Sequence, residues 1–285
     1  MMLMFPANAV ADDYLRGDCD EDGRVTIGDV ASLIDYLLTG DWGDEIPTEA
    51  DSLVFKINNV EFVMIRVEGG TFTMGATGEQ ADDYQSNELP AHQVTLSSYY
   101  ICSTEVTQEL WLEVMGSNPS EFVGVNLPVE KVTWNDCQVF INKLNALTGK
   151  EFRLPTEAEW EFAARGGNKS EGYKYSGSNT IGDVAWYSNN ASGKTHTVAT
   201  LAPNELGIYD MSGNVYELCQ DWYGNYVNQA QIDPIGPTSG SYRVSRGGCW
   251  ENHWGDNSRD CRVSSRGATD PGYNGNGCVG LRLAL

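Results

Sequence analysis

The run Asp18-Cys-Asp-Glu-Asp-Gly-Arg-Val-Thr-Ile-Gly-Asp29 puts Asp18, Asp20 and Asp22 on alternate residues ahead of Gly23. A calcium ion is hard and takes roughly six to eight oxygens. A twelve-residue loop supplies them from its first, third, fifth, seventh, ninth and last positions, with glycine at the sharp sixth-position turn. In that register Arg24 offers its backbone carbonyl, Thr26 takes the ninth position and Asp29 closes the loop. The closing residue is the shorter Asp rather than a bidentate Glu, which weakens the hold on the ion. Val30, Leu33, Ile34 and Leu37 follow at helical spacing and Gly40 ends the run, so the loop leads into a short EF-hand-like helix.

Sulfur and nitrogen ligands are more scattered. The seven cysteines stand at 19, 102, 137, 219, 249, 261 and 278, with no CxxC spacing for a zinc ribbon or redox pair. His92, His196 and His253 lie far apart, without metalloprotease spacing. Gly193-Lys-Thr195 has the ending of a phosphate loop, but Ser188 stands where its first glycine belongs. No GxSxG elbow is present. Glu157 and Glu161 share a helix and read as capping and surface charge rather than a glycosidase pair.

The 285 residues carry a net charge of −22, which excludes a nucleic-acid partner because phosphate neutralisation needs Lys and Arg. Residues 1–51 hold 13 acids against 2 bases, the kind of local excess that accompanies a cation site. No apolar run is long enough for a transmembrane helix. Residues 1–11 end in Ala9-Val10-Ala11 and read as the remnant of a signal peptide, placing the protein outside the cell or on its surface. Export would permit disulfides.

Residues 12–40 form the calcium-loop segment, 41–52 a polar, acidic linker, and 53–285 one large domain. Phe55–Ile57 and Val60–Val67 read as paired strands, and Gly69-Gly70 turns into a further strand ending at Gly75. Helices are expected over Thr107–Met115, with Leu110, Trp111 and Val114 on one face, and over Trp134–Leu147, with Val139, Phe140 and Leu144 on one face. A third begins at Thr156, whose capping box is completed by Glu159. The remainder, rich in Gly, Asn, Ser and Tyr, predicts short strands and long loops, an α+β class with much irregular structure.

Ordered phrases give these elements a family resemblance. They include Val67-Glu-Gly-Gly-Thr-Phe-Thr-Met-Gly75, Pro90-Ala-His-Gln-Val94, Glu105-Val-Thr107 and Val132-Thr-Trp-Asn135. Arg153-Leu-Pro-Thr-Glu-Ala-Glu-Trp-Glu161, Gly207-Ile-Tyr-Asp-Met-Ser-Gly-Asn-Val215, Arg246-Gly-Gly248 and Gly280-Leu-Arg282 follow. Over about 55–285 the set resembles the formylglycine-generating enzyme (sulfatase-modifying factor) family. The resemblance implies that family's variant of the C-type lectin fold. Members oxidise a sulfatase cysteine to formylglycine, using copper(I) on two cysteines five residues apart. The positions matching that pair are Asn252 and Asn257, the matching serine is Cys249, and Tyr216 stands for the tryptophan of Gly-Asn-Val-Trp-Glu. Copper is therefore not expected. The expected role is a non-catalytic binding domain, with Cys249 alone a candidate for residual redox chemistry. A Cys219–Cys261 disulfide is a further expectation. The resemblance also implies a calcium site from the Asp210 and Glu217 carboxylates and the Gly213 and Val215 carbonyls, while Val184 and Ala185 replace ligands of a second such site. Residues 12–40 resemble one repeat of a type I dockerin. Dockerins carry two repeats and dock onto cohesins, so one repeat implies a stabilising or assembling appendage rather than cohesin docking.

Residues 255–285 contain no Met, Trp, Lys, Glu or Gln. Codons ending in a pyrimidine cannot encode these five types, and randomising the adenines of Asn codons yields only such codons. The tail resembles the variable C-terminus of proteins diversified by reverse-transcriptase retroelements, which display ligand contacts on this scaffold. The expected contacts to a protein or glycan ligand are Asn252, His253, Trp254, Asp256, Asn257, Arg259, Asp260, Asp270, Tyr273, Asn274 and Asn276. Small polar and Tyr side chains on rigid loops suit such a surface.

Overall fold

The computed structural model describes residues 50–80, 83–251 and 257–285. The chain divides into two units, Met1–Ala50 and Asp51–Leu285. The segments read as a calcium loop (18–29) and a signal-peptide remnant (1–11), with most of the expected linker, lie outside the described residues.

The unit opens with the expected hairpin. Strand β1 (Ser52–Ile57) pairs antiparallel with β2 (Val60–Val67), from Ser52↔Ile65 to Ile57↔Val60. Alternation along β2 buries Val60, Phe62 and Met64 on one face, Val67 is buried in a second cluster, and β5 (Tyr99–Cys102) adds on its other edge. Between them, β3 (Gly70–Met74) and β4 (His92–Leu96) form a second hairpin, extended by β9 (Gln231–Ile232).

Helix α1 (Gln108–Met115) starts where Thr107 Oγ1 accepts the Leu110 N–H and stops at Gly116, whose φ of 79° suits glycine. Helix α2 (Trp134–Thr148) has a capping box of Thr133 and Asp136 and ends at left-handed Gly149. Trp111 and Phe140 stack across the two helices with ring centroids 4.8 Å apart. Together with Phe62, Met64, Leu144, Phe152 and Leu154 they make the first core. The apolar stripe of α2 is Cys137, Phe140, Ile141 and Leu144; Val139, expected on it, is exposed. At 3.6 residues per turn, residues 137, 141 and 144 flank 140 on one side, and 139 falls almost opposite 137 and 141.

Helix α3 (Glu157–Ala164) carries the expected Thr156/Glu159 capping box, but all eight of its residues are buried. Glu157 and Glu161 are therefore not surface charges. Arg246, fully buried on β10 (Arg243–Arg246), donates from Nη2 to Glu161 at 2.6 Å and from Nε to Glu157 at 3.1 Å. Arg266, first residue of β11 (Arg266–Thr269), donates to both Glu157 oxygens, at 2.7 and 2.5 Å. Glu161 also accepts the Gly75 N–H at 2.8 Å. The central sheet runs β11–β10–β8–β12, with β8 (Tyr216–Trp222) and β12 (Val279–Gly280) parallel. Beside it, the bridge of β6 (Ala185–Trp186) and β7 (Ser212–Gly213) buries Ala185 and, just before it, Val184.

Breaking a buried ion pair leaves an uncompensated charge. Arg246→Met should therefore cost about 3–5 kcal/mol in urea unfolding; a loss below about 1 kcal/mol, the value of an exposed pair, would refute this reading. A second expectation concerns Asp221, whose carboxylate accepts the Glu157 N–H at the start of α3 at 2.8 Å. Burial, with the nearby Glu157 charge, pushes its carboxyl up to about 7. Folded Asp221 keeps a proton that the unfolded chain releases above its ordinary value of 3.8. Its contribution to stability should thus fall as pH rises from there to about 7 and stay flat above. Asp221→Asn should flatten that part of the stability–pH curve, and an unchanged slope would refute the assignment.

Candidate functional site

The central sheet positions one cavity beneath the C-terminal loops. Tyr216 starts β8, Ser245 sits on β10, Gly267–Thr269 on β11 and Val279 on β12, and all line a space of about 310 Å³. Cys249, Glu251, Asn257, Asp260, Tyr273, Gly275 and Cys278 complete its walls. The Gly247-Gly248 turn delivers Cys249 there. Both glycines have positive φ, and a Cβ on Gly248 would lie 2.7 Å from the Cys261 sulfur, so only glycine fits.

Asn257, one of the two positions where the resemblance calls for a thiolate, instead braces backbone. Its Nδ2 donates to the Cys249 and Glu251 carbonyls at 2.7 and 2.8 Å, and its Oδ1 accepts the Ser188 N–H at 3.0 Å. An amide with both ends committed offers copper(I) no soft ligand, so the metal does not fit at this position. The cavity nevertheless holds two thiols. Cys278 lies with its sulfur 2.8 Å from that of Cys249, so Cys249 is not alone. The hydrogen bond with Cys249, followed by burial, pushes the Cys278 thiol up, and its sulfur is 3.4 Å from a Glu251 carboxylate oxygen.

Not every expected contact faces this space. Asp260 and Tyr273 line it with Asn257. Burial raises the Asp260 carboxyl against the hydrogen bond from Tyr216. Arg259 turns away and donates to the Asp83 and Tyr84 carbonyls at 3.1 and 2.7 Å. Asp270 caps its own turn by accepting the Gly272 N–H, and Asn274 accepts from the Asn276 N–H, so these shape the rim from outside the cavity wall. Asn252, His253, Trp254 and Asp256 lie outside the described residues. Sequence reasoning missed Ser245 and Glu251 as cavity residues; Thr269 and Cys278 fall within the 267–279 loop expected to carry contacts but were not singled out. The expected Cys219–Cys261 disulfide is absent: Cys219 packs in the core with Trp160 and Val244, and Cys261 packs elsewhere with Tyr175 and Val184.

The strand-turn expected to hold calcium is buried. Asp210 adopts φ 58° and accepts the Ala199 N–H at 2.7 Å. Glu217 receives Arg282 at 2.7–3.0 Å and the Trp160 indole N–H at 2.7 Å. Gly213 has φ 83°, and a Cβ there would come within 2.4 Å of the Trp186 carbonyl oxygen. Val215 donates its N–H to Glu105, and Asn214 donates to the other Glu105 oxygen. Glu105, unassigned from sequence, thus joins the group. Burial, then the charges of Asp210 and Glu217, raises its carboxyl strongly, and burial lifts Asp210 to about 6. Among the described residues no three His, Cys, Asp or Glu side chains converge on one point, so a cation here would have to draw on backbone carbonyls.

A larger cavity of about 470 Å³ is lined by Glu157, Asp221, Tyr226 and Arg266. Those polar groups serve α3: Glu157 holds Arg266 and Asp221 caps the helix. The smaller cavity, with its thiols and loop-borne polar groups, is the better candidate site.

Among known proteins, the chain is similar to the chaperone protein LppX of Paenibacillus barcinonensis, 36% identical over 240 residues, 66% of this chain and 78% of that protein. It is also 36% identical to the serine/threonine-protein kinase pkn1 of Chlamydia pneumoniae over 253 residues, 78% of this chain but 37% of the kinase's length. Among solved structures, Treponema denticola variable protein 1 superimposes with a TM-score of 0.73 at 34% identity, over 83% of this chain and 99% of that one. The sulfatase-modifying factor enzyme 1-like domain family matches residues 55–285. Motif order, mixed α+β architecture and these likenesses agree, and the chain belongs to that FGE-sulfatase family, with its C-type-lectin-like fold.

Proposed function

We propose that the 53–285 unit is a non-catalytic ligand-binding domain of an exported protein, presenting the 310 Å³ cavity and its rim to a protein or glycan. The observation that carries this reading is Asn257: where the family's chemistry needs a thiolate, an amide is consumed in holding the loop. Preorganised loops of this kind suit display, and the likeness to a variable protein and the composition of the 255–285 tail support diversification of that surface. Glu251 and Asp260 make the cavity acidic, which favours ligands bearing hydroxyl or ammonium donors.

The second reading is an altered formylglycine-type oxidoreductase using Cys249, favoured by the neighbouring thiol. Anaerobic copper(I) titration, with mass spectrometry of a cysteine-bearing sulfatase peptide, separates the two. No stoichiometric copper and an unchanged peptide are expected; conversion of the peptide thiol to an aldehyde would overturn the binding reading. On a glycan and peptide array, Tyr273→Ala and Asp260→Asn should weaken the strongest signal at least about tenfold, or about 1.4 kcal/mol. Asn274→Ala, outside the cavity wall, should leave it within about twofold; equal losses in all three would remove the cavity from the proposal.

Calcium is a companion proposal at both sites. In the described unit, the buried Asp210 and Glu217 carboxylates lie near the Glu105 carboxyl, and a cation there would also draw on the Gly213 and Val215 carbonyls. Calcium at about 100 times its Kd should add about 2.7 kcal/mol to unfolding stability. Asp210→Asn should abolish the part belonging to this unit, and Asp20→Asn the part belonging to the N-terminal loop. Stability equal in calcium and in chelator would refute both sites.

A further inference from the structure

Cys249 and Cys278 are 29 residues apart, on the Gly-Gly turn after β10 and at the start of the strand that closes the central sheet. Both are buried, both line the same cavity, and their sulfurs are 2.8 Å apart. A disulfide bond is about 2.05 Å long, so bonding requires an approach of less than about 1 Å. Cys102, Cys137, Cys219 and Cys261 line neither cavity. Open to the cavity, the 249/278 pair can meet a small oxidant there.

We propose that Cys249 and Cys278 are an oxidation site for low-molecular-weight disulfides, closing to an internal disulfide that ties the Cys249–Glu251 wall of the cavity to the Gly275–Cys278 wall. The Glu251 carboxylate stands 3.4 Å from the Cys278 sulfur and disfavours a thiolate there, which assigns the first attack to Cys249. The Cys249 thiolate displaces one thiol from the oxidant and forms a mixed disulfide. Cys278 loses its proton, with Glu251 placed 3.4 Å away to accept it, and attacks the Cys249 sulfur, releasing the second thiol. The balance is one protein dithiol and one small disulfide giving one protein disulfide and two small thiols. The walls are already aligned for this. The Trp250 indole N–H donates to the Gly277 carbonyl at 2.8 Å, and Asn257 anchors the Cys249 carbonyl, so closure needs no rearrangement of the sheet.

The test equilibrates the native full chain with oxidised and reduced glutathione at graded ratios, alkylates it, and maps thiols by mass spectrometry after trypsin. The peptides Gly247–Arg259 and Gly267–Arg282 should cross-link to each other and lose both alkylation sites at one common ratio. Cys278→Ser should instead stop at a glutathione adduct on Cys249, and Cys249→Ser should leave Cys278 unmodified at that ratio. Both thiols staying alkylatable under full oxidation, or Cys249 cross-linking to Cys261 instead, would overturn the proposal. The readout is independent of any ligand, so it stands or falls apart from the binding function.

Discussion

The architecture depends on guanidinium groups buried against carboxylates. Arg246, Arg262 and Arg282 are each fully enclosed, and Arg266 nearly so. Each is met by a carboxylate: Arg246 by Glu157 and Glu161, Arg266 by Glu157, Arg262 by Glu88 in two-point contact, Arg282 by Glu217. A chain this rich in loops leaves many backbone carbonyls without ladder partners, and such groups are costly to bury unbonded. The planar, five-donor guanidinium meets that need while neutralising a carboxylate. Arg246 takes the Val263 and Ser265 carbonyls, and Arg282 takes those of Cys102 and Tyr209. The ion pairs thus join segments far apart in sequence, doing with side chains what a larger sheet would do with strands.

The candidate site follows from that arrangement. Arg246 fixes the end of β10, so the Gly-Gly turn behind it leaves in one direction and sets Cys249 in the cavity wall. Arg282 fixes the strand end beyond Cys278. The two thiols meet because two ion pairs, not a local motif, determine where their backbones run. Asn257 adds a third constraint by tying the loop to the Cys249 and Glu251 carbonyls. At this position an amide with both ends committed acts as a brace that holds the loop in one conformation.

Much of the fold was legible in the chain. The β1–β2 hairpin, the three expected helices and the Thr156/Glu159 cap correspond to local patterns whose physical cause is local, whereas the one-turn helix Ile181–Val184 was not anticipated. Val139 falls off the stripe by its phase: at about 100° per residue it lies about 100° from Phe140 and about 140° from Leu144, whereas Cys137 and Ile141 lie within about 60° of Leu144. Glu157 and Glu161 were read as surface charge because their partners, Arg246 and Arg266, lie more than eighty residues downstream.

The sequence alone determined the spacing of acidic residues over 18–29, the family phrases and the asparagines at 252 and 257, because identity and short spacing are local properties of the chain. Only the tertiary structure decided that Glu105 joins Asp210 and Glu217, that Arg259 turns from the cavity and that Cys278 meets Cys249. These are contacts across long sequence separations, and which pair forms depends on how the buried ion pairs route the loops, a choice that no window of neighbouring residues contains.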